Sequence, residues 1–436
     1  MEKMLGIRRE DKNKWERRVP IIPEDLKGLK DGYGIDAIVQ PSPSRIYPDD
    51  AFSQNGAIVD EDLSKANTIF AVKEIPVDLL AAEKTYIFFS HTIKGQAYNK
   101  GLLKRLMELK CNLIDYERIV NEKNQRLIFF STHAGYAGMI ETLFAFGQKM
   151  KKKGINSPLA QIKQAFEYKS LEDAKDHVKR ISCQISEKGL PEEISPLVIG
   201  FAGDGNVSQG AQEIIDILPI KEIRLDQLDS IRNQENVDCH TIYKVIFREQ
   251  DIVKPLSGEF ELQDYYDHPE KYEPIIEQHL SKIDILVNCI FWTEKYPRLV
   301  TKDYLKAQEV SHADSNLSVI GDISCDIEGS IEITKETTMP DHACFTYFAE
   351  TDTFEDGIPA KGITVMAIDN LPCEFSKESS MFFSNILKAF VDDIISADFG
   401  KSFDELDLPY PIKKALILHN GHLTTDYRYM ENLYKQ

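Results

Sequence analysis

The stretch GFAGDGNVSQGAQEIIDILP, residues 200–219, continues an apolar run that begins at Pro196 and places Gly203 and Gly205 in a tight turn. Beyond the turn, Ala211, Ile214, Ile215 and Leu218 recur at the i, i+3, i+4, i+7 spacing of a helix packed by one face on a sheet. Strand, glycine turn and helix in that order are what a dinucleotide site requires. The first glycine permits the turn and the second lets main chain approach a pyrophosphate. The amides of Asn206, Val207 and Ser208 then open the helix and face the pyrophosphate charge. Ser208 occupies the place of a third glycine, small enough to keep helix close to strand, and Gly210 and Ala211 keep the neighbouring turn slim. An ordinary glycine-rich turn is the alternative, which the flanking strand and amphipathic helix disfavour.

Working outward, Arg224 lies 21 positions beyond Gly203, near the end of the next apolar run, IKEIRL at 220–225. An acidic residue there holds the ribose hydroxyls of NAD, and an arginine accepts the extra phosphate of NADP. NADPH is therefore the expected coenzyme, with NADH possible because Asp226 is two residues on; a plain surface arginine is the competing account. The series continues through IDILVNCIFW at 283–292, LSVIGDIS at 317–324 and GITVMAID at 362–369. These near-continuous apolar runs suit strands buried on both faces. Asp369 closes the last of them, where a nicotinamide would lie, unless it is a helix cap.

The first third of the chain alternates apolar runs with polar helical stretches: IDAIV at 35–39, NTIFAV at 67–72, TYIFFS at 85–90, CNLIDY at 111–116 and RLIFFS at 126–131. This rhythm predicts a second parallel sheet, and ligands of open α/β sheets bind beyond the carboxyl ends of the strands. One run leads into Lys73 and Glu74, another into His91 and then Lys94, so both point proton-carrying groups at one crevice. Arg18, in WERRVPIIP, has a guanidinium able to clamp a carboxylate by two parallel hydrogen bonds. Glu117 ends another strand of the same domain, where it binds an ammonium group or tunes Lys73. Taken singly, each also reads blandly: Lys73, Arg18 and Glu117 as solvated surface residues, His91 as a turn or cap. Residues 137–192, rich in Lys, Glu, Gln and Ala, read as helices bridging two domains.

The length of 436 residues agrees with two domains rather than one small module. A formal charge of -19 repels a phosphate backbone, so nucleic acid is not an expected partner. Seven scattered cysteines without a CxxC pair indicate neither a disulfide framework nor a zinc site. The N-terminus lacks the apolar core of a signal peptide and no run of about 18 apolar residues occurs, so a cytoplasmic protein without membrane spans is expected. His133, His177, His240 and His422 fall in no HExxH or other metal spacing, so no metal is expected. A GxSxG elbow and a P-loop are both missing, which leaves hydrolase and kinase readings without apparatus.

Eight collinear blocks resemble one family. They are GIRREDKNKWERRVPIIPEDLKGL at 6–29, AVKEIP at 71–76, FFSHTIKGQ at 88–96, HAGYAGMI at 133–140, GDGNVSQGAQ at 203–212, DHPEKY at 267–272, GDISCDIEGSIE at 321–332 and AIDNLP at 367–372. The chain resembles the lysine-ketoglutarate reductase part of aminoadipic semialdehyde synthases, relatives of lysine-forming saccharopine dehydrogenases and of alanine dehydrogenase. The similarity continues to LILHNGHLTTDYRYMENL, after which the chain stops without a saccharopine dehydrogenase region, so it looks like a single-function reductase.

The resemblance implies an α/β protein of two Rossmann-like, doubly wound domains with an interdomain active-site cleft. Residues 1–136 and 371–436 would bind substrate, 137–194 would form a helical connection, and 195–370 would bind the dinucleotide. It implies Lys73 and His91 as the acid-base pair, Arg18, Glu74, Lys94 and Glu117 around the substrate, and Asp369 beside the nicotinamide. The implied reaction is a reversible, NADPH-dependent condensation of L-lysine with 2-oxoglutarate to saccharopine. A related amino-acid dehydrogenase of the alanine type, or a non-catalytic nucleotide-binding regulator, is the alternative.

Overall fold

The structure, a computed structural model, describes residues 3–94, 99–234, 236–311 and 315–434. The chain forms two units, Met1–Phe130 with Ser376–Gln436, and Ser131–Phe375. Among the described residues there are eighteen strands, numbered along the chain; β1–β6, β17 and β18 belong to the first unit and β7–β16 to the second.

In the first unit, β1 (Met4–Ile7) lies inside the sheet, parallel to β2 (Asp36–Val39) and to β4 (Thr68–Phe70). Beyond β2 comes the short edge strand β3 (Ile58–Val59); beyond β4 come β5 (Thr85–Phe88) and β6 (Asn112–Asp115), all parallel. Two late strands extend this sheet in the antiparallel sense: β17 (Leu416–His419) pairs with β6, and β18 (His422–Leu423) pairs with β17. They are joined by Asn420 and Gly421, both with positive φ (49° and 78°). That is the backbone of a two-residue hairpin whose twist matches the strands. The terminal segment is thus a hairpin before the helix Met430–Tyr434, where the sequence suggests only a turn and helix.

Serine hydroxyls tie the end of the chain to its beginning. The helix Pro23–Tyr33 starts without a side-chain cap of its own. From the helix Ser376–Ser396, Ser384 Oγ accepts from Ile22 N at 3.0 Å and donates to Asp25 at 2.6 Å, and Ser380 Oγ accepts from Val19 N at 3.0 Å. The amide of the N-cap Ile22 is satisfied in this way. RLIFFS is not a strand: Arg126 makes one isolated bridge to Val120, and Phe130 leaves the sheet direction to stack on Phe383, ring centroids 4.9 Å apart.

The second sheet runs β15-β14-β16-β13-β12-β7-β9-β8, from β7 (Leu197–Ala202), β8 (Ile220–Glu222), β9 (Ile242–Phe247), β12 (Ile285–Asn288), β13 (Val319–Asp322), β14 (Cys344–Phe348), β15 (Thr353–Asp356) and β16 (Ile363–Met366). It is parallel except at β14 and β15, which form an antiparallel edge. β10 (Val253–Pro255) and β11 (Tyr272–Pro274) make a separate two-stranded ribbon.

Two features differ from the sequence reading. The strand next to β7 is β9, not the 220–225 run, which shrinks to the edge strand β8. Lys244 masks β9 in the sequence. Its ammonium is buried but paired with Asp216 at 2.9 Å and Glu222 at 3.2 Å, which is how a lysine is accommodated inside a sheet. The expected helical connection is a layer of the second unit: from the helix Ser131–Lys152, Ile140, Leu143 and Phe146 share one core with Ile199, Val287 and Val319. The unit boundaries fall accordingly at 130/131 and 375/376. Among the described residues, no helix is long and apolar enough to cross a membrane.

Candidate active site

In the first unit the chemistry gathers beyond the ends of β1, β4, β5 and β6. Residues 8–18 follow β1, Lys73 and Glu74 follow β4, His91 follows β5, and Glu117 follows β6. Glu10 accepts from the amides of Val72 at 2.6 Å and Lys73 at 2.9 Å, fixing the backbone that carries the lysine. Desolvation, reinforced by the neighbouring Glu16, raises the Glu10 carboxyl to about 8 despite those two amides.

Lys73 is half-buried, and its pKa is lowered from the ordinary lysine value, first by desolvation and then by the charge of Arg18, with Lys12 adding to the effect. His91 Nδ1 is hydrogen-bonded to Glu74 Oε1. Desolvation acts to raise the Glu74 pKa, but the bond to His91, the imidazole charge and Lys12, 3.5 Å away, prevail and hold it at about 2. Glu74 is therefore a carboxylate at neutral pH, placed to fix the imidazole ring. His91 has φ of 50°, a left-handed backbone that non-glycine residues seldom adopt and that clusters at functional sites.

Arg18 is 2% exposed and directs two parallel hydrogen bonds at Glu16, Nε to Oε1 at 2.8 Å and Nη2 to Oε2 at 2.6 Å, while stacking 4.3 Å from the Phe130 ring centroid. The two-pronged clamp expected for a substrate carboxylate is thus taken by Glu16 of the chain itself, because a buried guanidinium needs a counter-charge. Glu117 is buried and paired with Arg126. Asp115 links it to the rest: it accepts from Glu117 N at 2.8 Å and from Ser90, and desolvation raises its pKa to about 6 against the charge of His91. Electrostatic contact thus joins Arg18, Lys73, Glu74, His91 and Glu117. The backbone of Lys94 closes the turn Thr92–Lys94, and its side chain lies outside the described residues. Glu10, Glu16, Arg126 and Phe130 were not singled out in the sequence; charged residues at positions 10 and 16 carry no periodic signal that marks them as buried.

The Glu74 pairing has a pH signature. A carboxyl with a depressed folded-state pKa contributes stability that is present above its unfolded value near 4.5 and lost as pH falls toward 2. Glu74→Gln is expected to flatten the loss of stability between those pH values, measured by urea denaturation. An unchanged pH slope would contradict the pairing.

In the second unit the glycine turn has the geometry of an anion cradle. Gly203 has φ of 92°, and a Cβ there would meet Ile290 at 3.0 Å. Gly205 is the N-cap of the helix Asn206–Ile215, which has no side-chain cap, and a Cβ at 205 would enter open space. The first-turn amides of Asn206, Val207 and Ser208 therefore face a clear approach, and the turn fits a pyrophosphate. Ser208 is buried, as is Gly210, where a Cβ would stand 2.2 Å from Thr132 O of the 131–152 helix. Its smallness serves that helix contact more than the turn. Asp369 is exposed three residues past β16, and Asn370, not Asp369, is the N-cap of the turn Leu371–Cys373.

Arg224 does not end the strand beside β7. It is the N-cap that follows edge strand β8, it is 75% exposed, and it pairs with Asp226 at 2.8 Å. The residue that follows β9 is Arg248, a position absent from the sequence reading because β9 itself was.

Two family models match the chain: alanine dehydrogenase/PNT, N-terminal domain, over residues 6–137, and alanine dehydrogenase/PNT, C-terminal domain, over residues 205–426. The chain belongs to the alanine dehydrogenase/PNT family. Among relatives of this family member, the alpha-aminoadipic semialdehyde synthase of Arabidopsis thaliana is 36% identical over 99% of this chain and 42% of its own length. The mitochondrial alpha-aminoadipic semialdehyde synthase of Bos taurus is 32% identical over 99% of this chain and 48% of its own. The chain spans less than half of these two relatives. A saccharopine dehydrogenase [NAD(+), L-lysine-forming] of Emericella nidulans is 27% identical over 85% of this chain and 87% of its own. Among solved structures, an L-alanine dehydrogenase superposes with a TM-score of 0.64 at 14% identity, covering 99% of both chains, which supports the shared α/β fold.

Proposed function

We propose that this family member is an oxidoreductase of lysine metabolism that condenses L-lysine with 2-oxoglutarate, using NADPH, to give saccharopine, NADP+ and water. The observation that carries the reading is the cluster of a depressed-pKa lysine, Lys73, with a carboxylate-paired histidine, His91–Glu74, beside the buried Arg18.

The condensation requires a neutral amine. Lys73, readily deprotonated for a lysine, accepts a proton from the substrate ε-ammonium, and the freed amine attacks the keto carbon to give a carbinolamine. His91, held by Glu74, returns a proton to the departing hydroxyl, so that water leaves and a protonated imine remains, ready to take hydride and become the secondary amine. Arg18, its fork held by Glu16, contributes the charge that helps keep Lys73 readily deprotonated, and Glu117 with Arg126 borders the substrate. A bound reduced nicotinamide supplies the hydride that the imine carbon takes up. Gly203, Gly205 and the amides of Asn206, Val207 and Ser208 would hold the coenzyme pyrophosphate, with Asp369 toward the nicotinamide.

The test is NADPH oxidation by the purified chain with 2-oxoglutarate and a panel of amines. Oxidation dependent on L-lysine is expected; oxidation of equal rate with ammonia and pyruvate would redirect the reading to an alanine-type dehydrogenase, and coenzyme binding without turnover would leave a regulator. With lysine as substrate, kcat/KM is expected to rise with pH through a group titrating below the ordinary 10.5 of a lysine. Lys73→Met should abolish that limb. Seven free cysteines suit the reducing cytosol as the compartment, which fractionation tests.

A further inference from the structure

We infer that Arg248, not Arg224, reads the ribose 2′ position of the coenzyme and sets a preference for NADPH over NADH. This assignment rests on the coenzyme reading above and deepens it. Its ground is strand order. In a dinucleotide-binding sheet, the ribose is read from the end of the strand adjacent to the one that feeds the glycine turn. Here that neighbour is β9: Ala202 is in register with Phe247, and Gly203 N donates to Phe247 O at 2.9 Å. Arg248 therefore stands level with the turn, one strand spacing from it. β8 stops at Glu222, opposite Lys244, two strands from β7 and so roughly 9–10 Å to the side. Arg224 follows that shorter strand.

Side-chain contacts agree with the register. Arg248 Nη2 lies 3.2 Å from Asp204 Oδ2, bridging from β9 to the middle residue of the Gly203–Asp204–Gly205 turn. Its backbone is held by Asp251, which accepts from Arg248 N at 3.0 Å. Arg248 and Arg224 border one cavity of about 770 Å³, together with Ile223, Ile246 and His279. A 2′-phosphate carries more charge than the single Asp204 carboxylate and presents oxygens that match a guanidinium fork, so it can draw Arg248 to itself. A 2′-hydroxyl cannot compete in that way. Without Arg248, Asp204 is left to accept from the ribose hydroxyls and to repel a phosphate, which reverses the preference.

Isothermal titration of the full chain with 2′,5′-ADP and with 5′-ADP separates the ribose contact from both nicotinamide and substrate. Wild type is expected to bind 2′,5′-ADP more tightly than 5′-ADP. Arg248→Gln should weaken 2′,5′-ADP by about 10- to 100-fold, the loss of a charge-assisted pair, while shifting 5′-ADP by less than about twofold. Arg248→Lys should restore part of the loss, and Arg224→Gln should leave both ligands near wild type. A loss of 2′,5′-ADP preference in Arg224→Gln but not in Arg248→Gln overturns the assignment. Equal wild-type affinity for the two ligands overturns it while leaving the coenzyme site intact, whereas binding of neither removes that site as well. Circular dichroism of each variant confirms folding, which the half-exposed Arg248 side chain should not disturb.

Discussion

Lys73→Met is expected to lower kcat for lysine-dependent NADPH oxidation by about 100- to 10,000-fold, and His91→Asn by a similar factor, with the double variant little worse than either. Non-additivity follows from the proposed roles: if the two groups serve successive proton transfers of one condensation, losing one already stalls the sequence. Met keeps the length of the lysine stem and leaves untouched the amide bonds from Val72 and Lys73 to Glu10. Asn is the better replacement at position 91 because asparagine tolerates the left-handed backbone that His91 adopts, so the variant probes the imidazole and not the turn. NADPH affinity should stay within about twofold in both, since the glycine turn belongs to the other unit. Turnover of the double variant within tenfold of wild type would end the acid-base assignment.

Gly210→Ala is expected to destabilise the second unit by about 1–3 kcal/mol and to weaken NADPH binding with it. A Cβ at 210 would lie 2.2 Å from Thr132 O, and one at 135 would lie 2.1 Å from Val207 O and 2.7 Å from Ala211 N. All three contacts are backbone, which cannot rotate aside, so the 131–152 and 206–215 helices must part. Val207 belongs to the first turn of the latter, whose amides would hold the pyrophosphate of the proposed coenzyme, so the same displacement is expected to spoil the cradle. At about 2–4 °C per kcal/mol for a unit of this size, the melting temperature should fall by several degrees. Gly205→Ala supplies the contrast. Its backbone is extended, with φ of -83°, and its Cβ would meet nothing within 4 Å, so stability should hold while coenzyme affinity drops. If Gly210→Ala melts and binds as wild type does, the close helix contact is wrong.

Much of the molecule was legible along the chain because the decisive signals are local. Apolar runs at 67–72, 85–90, 111–116 and 196–203 appear as β4, β5, β6 and β7, each shorter by two or three residues in all. The GDGNVS turn lies between strand and helix as its spacing requires. Of the strands that escaped, three did so for distinct reasons. β1 is only four residues flanked by charge, yet β2 and β4 pair with both of its edges. β9 carries Lys244, whose charge is cancelled only by Asp216 and Glu222 from other elements. β14 depends on an antiparallel partner that follows it in the chain. RLIFFS failed in the opposite direction: its apolar side chains pack as a loop, with Phe130 under Arg18.

Residue order alone determined the α/β class, the glycine turn at 203–205 and the placing of Lys73, Glu74 and His91 just past strand ends, because side-chain alternation and turn chemistry are properties of neighbouring residues. Tertiary structure alone decided that β9 lies beside β7, that Glu16 occupies the Arg18 fork and that Gly210 is shaped by Thr132. Each of those depends on which distant segments share hydrogen bonds or exclude water together, and that choice is made by the packed chain as a whole.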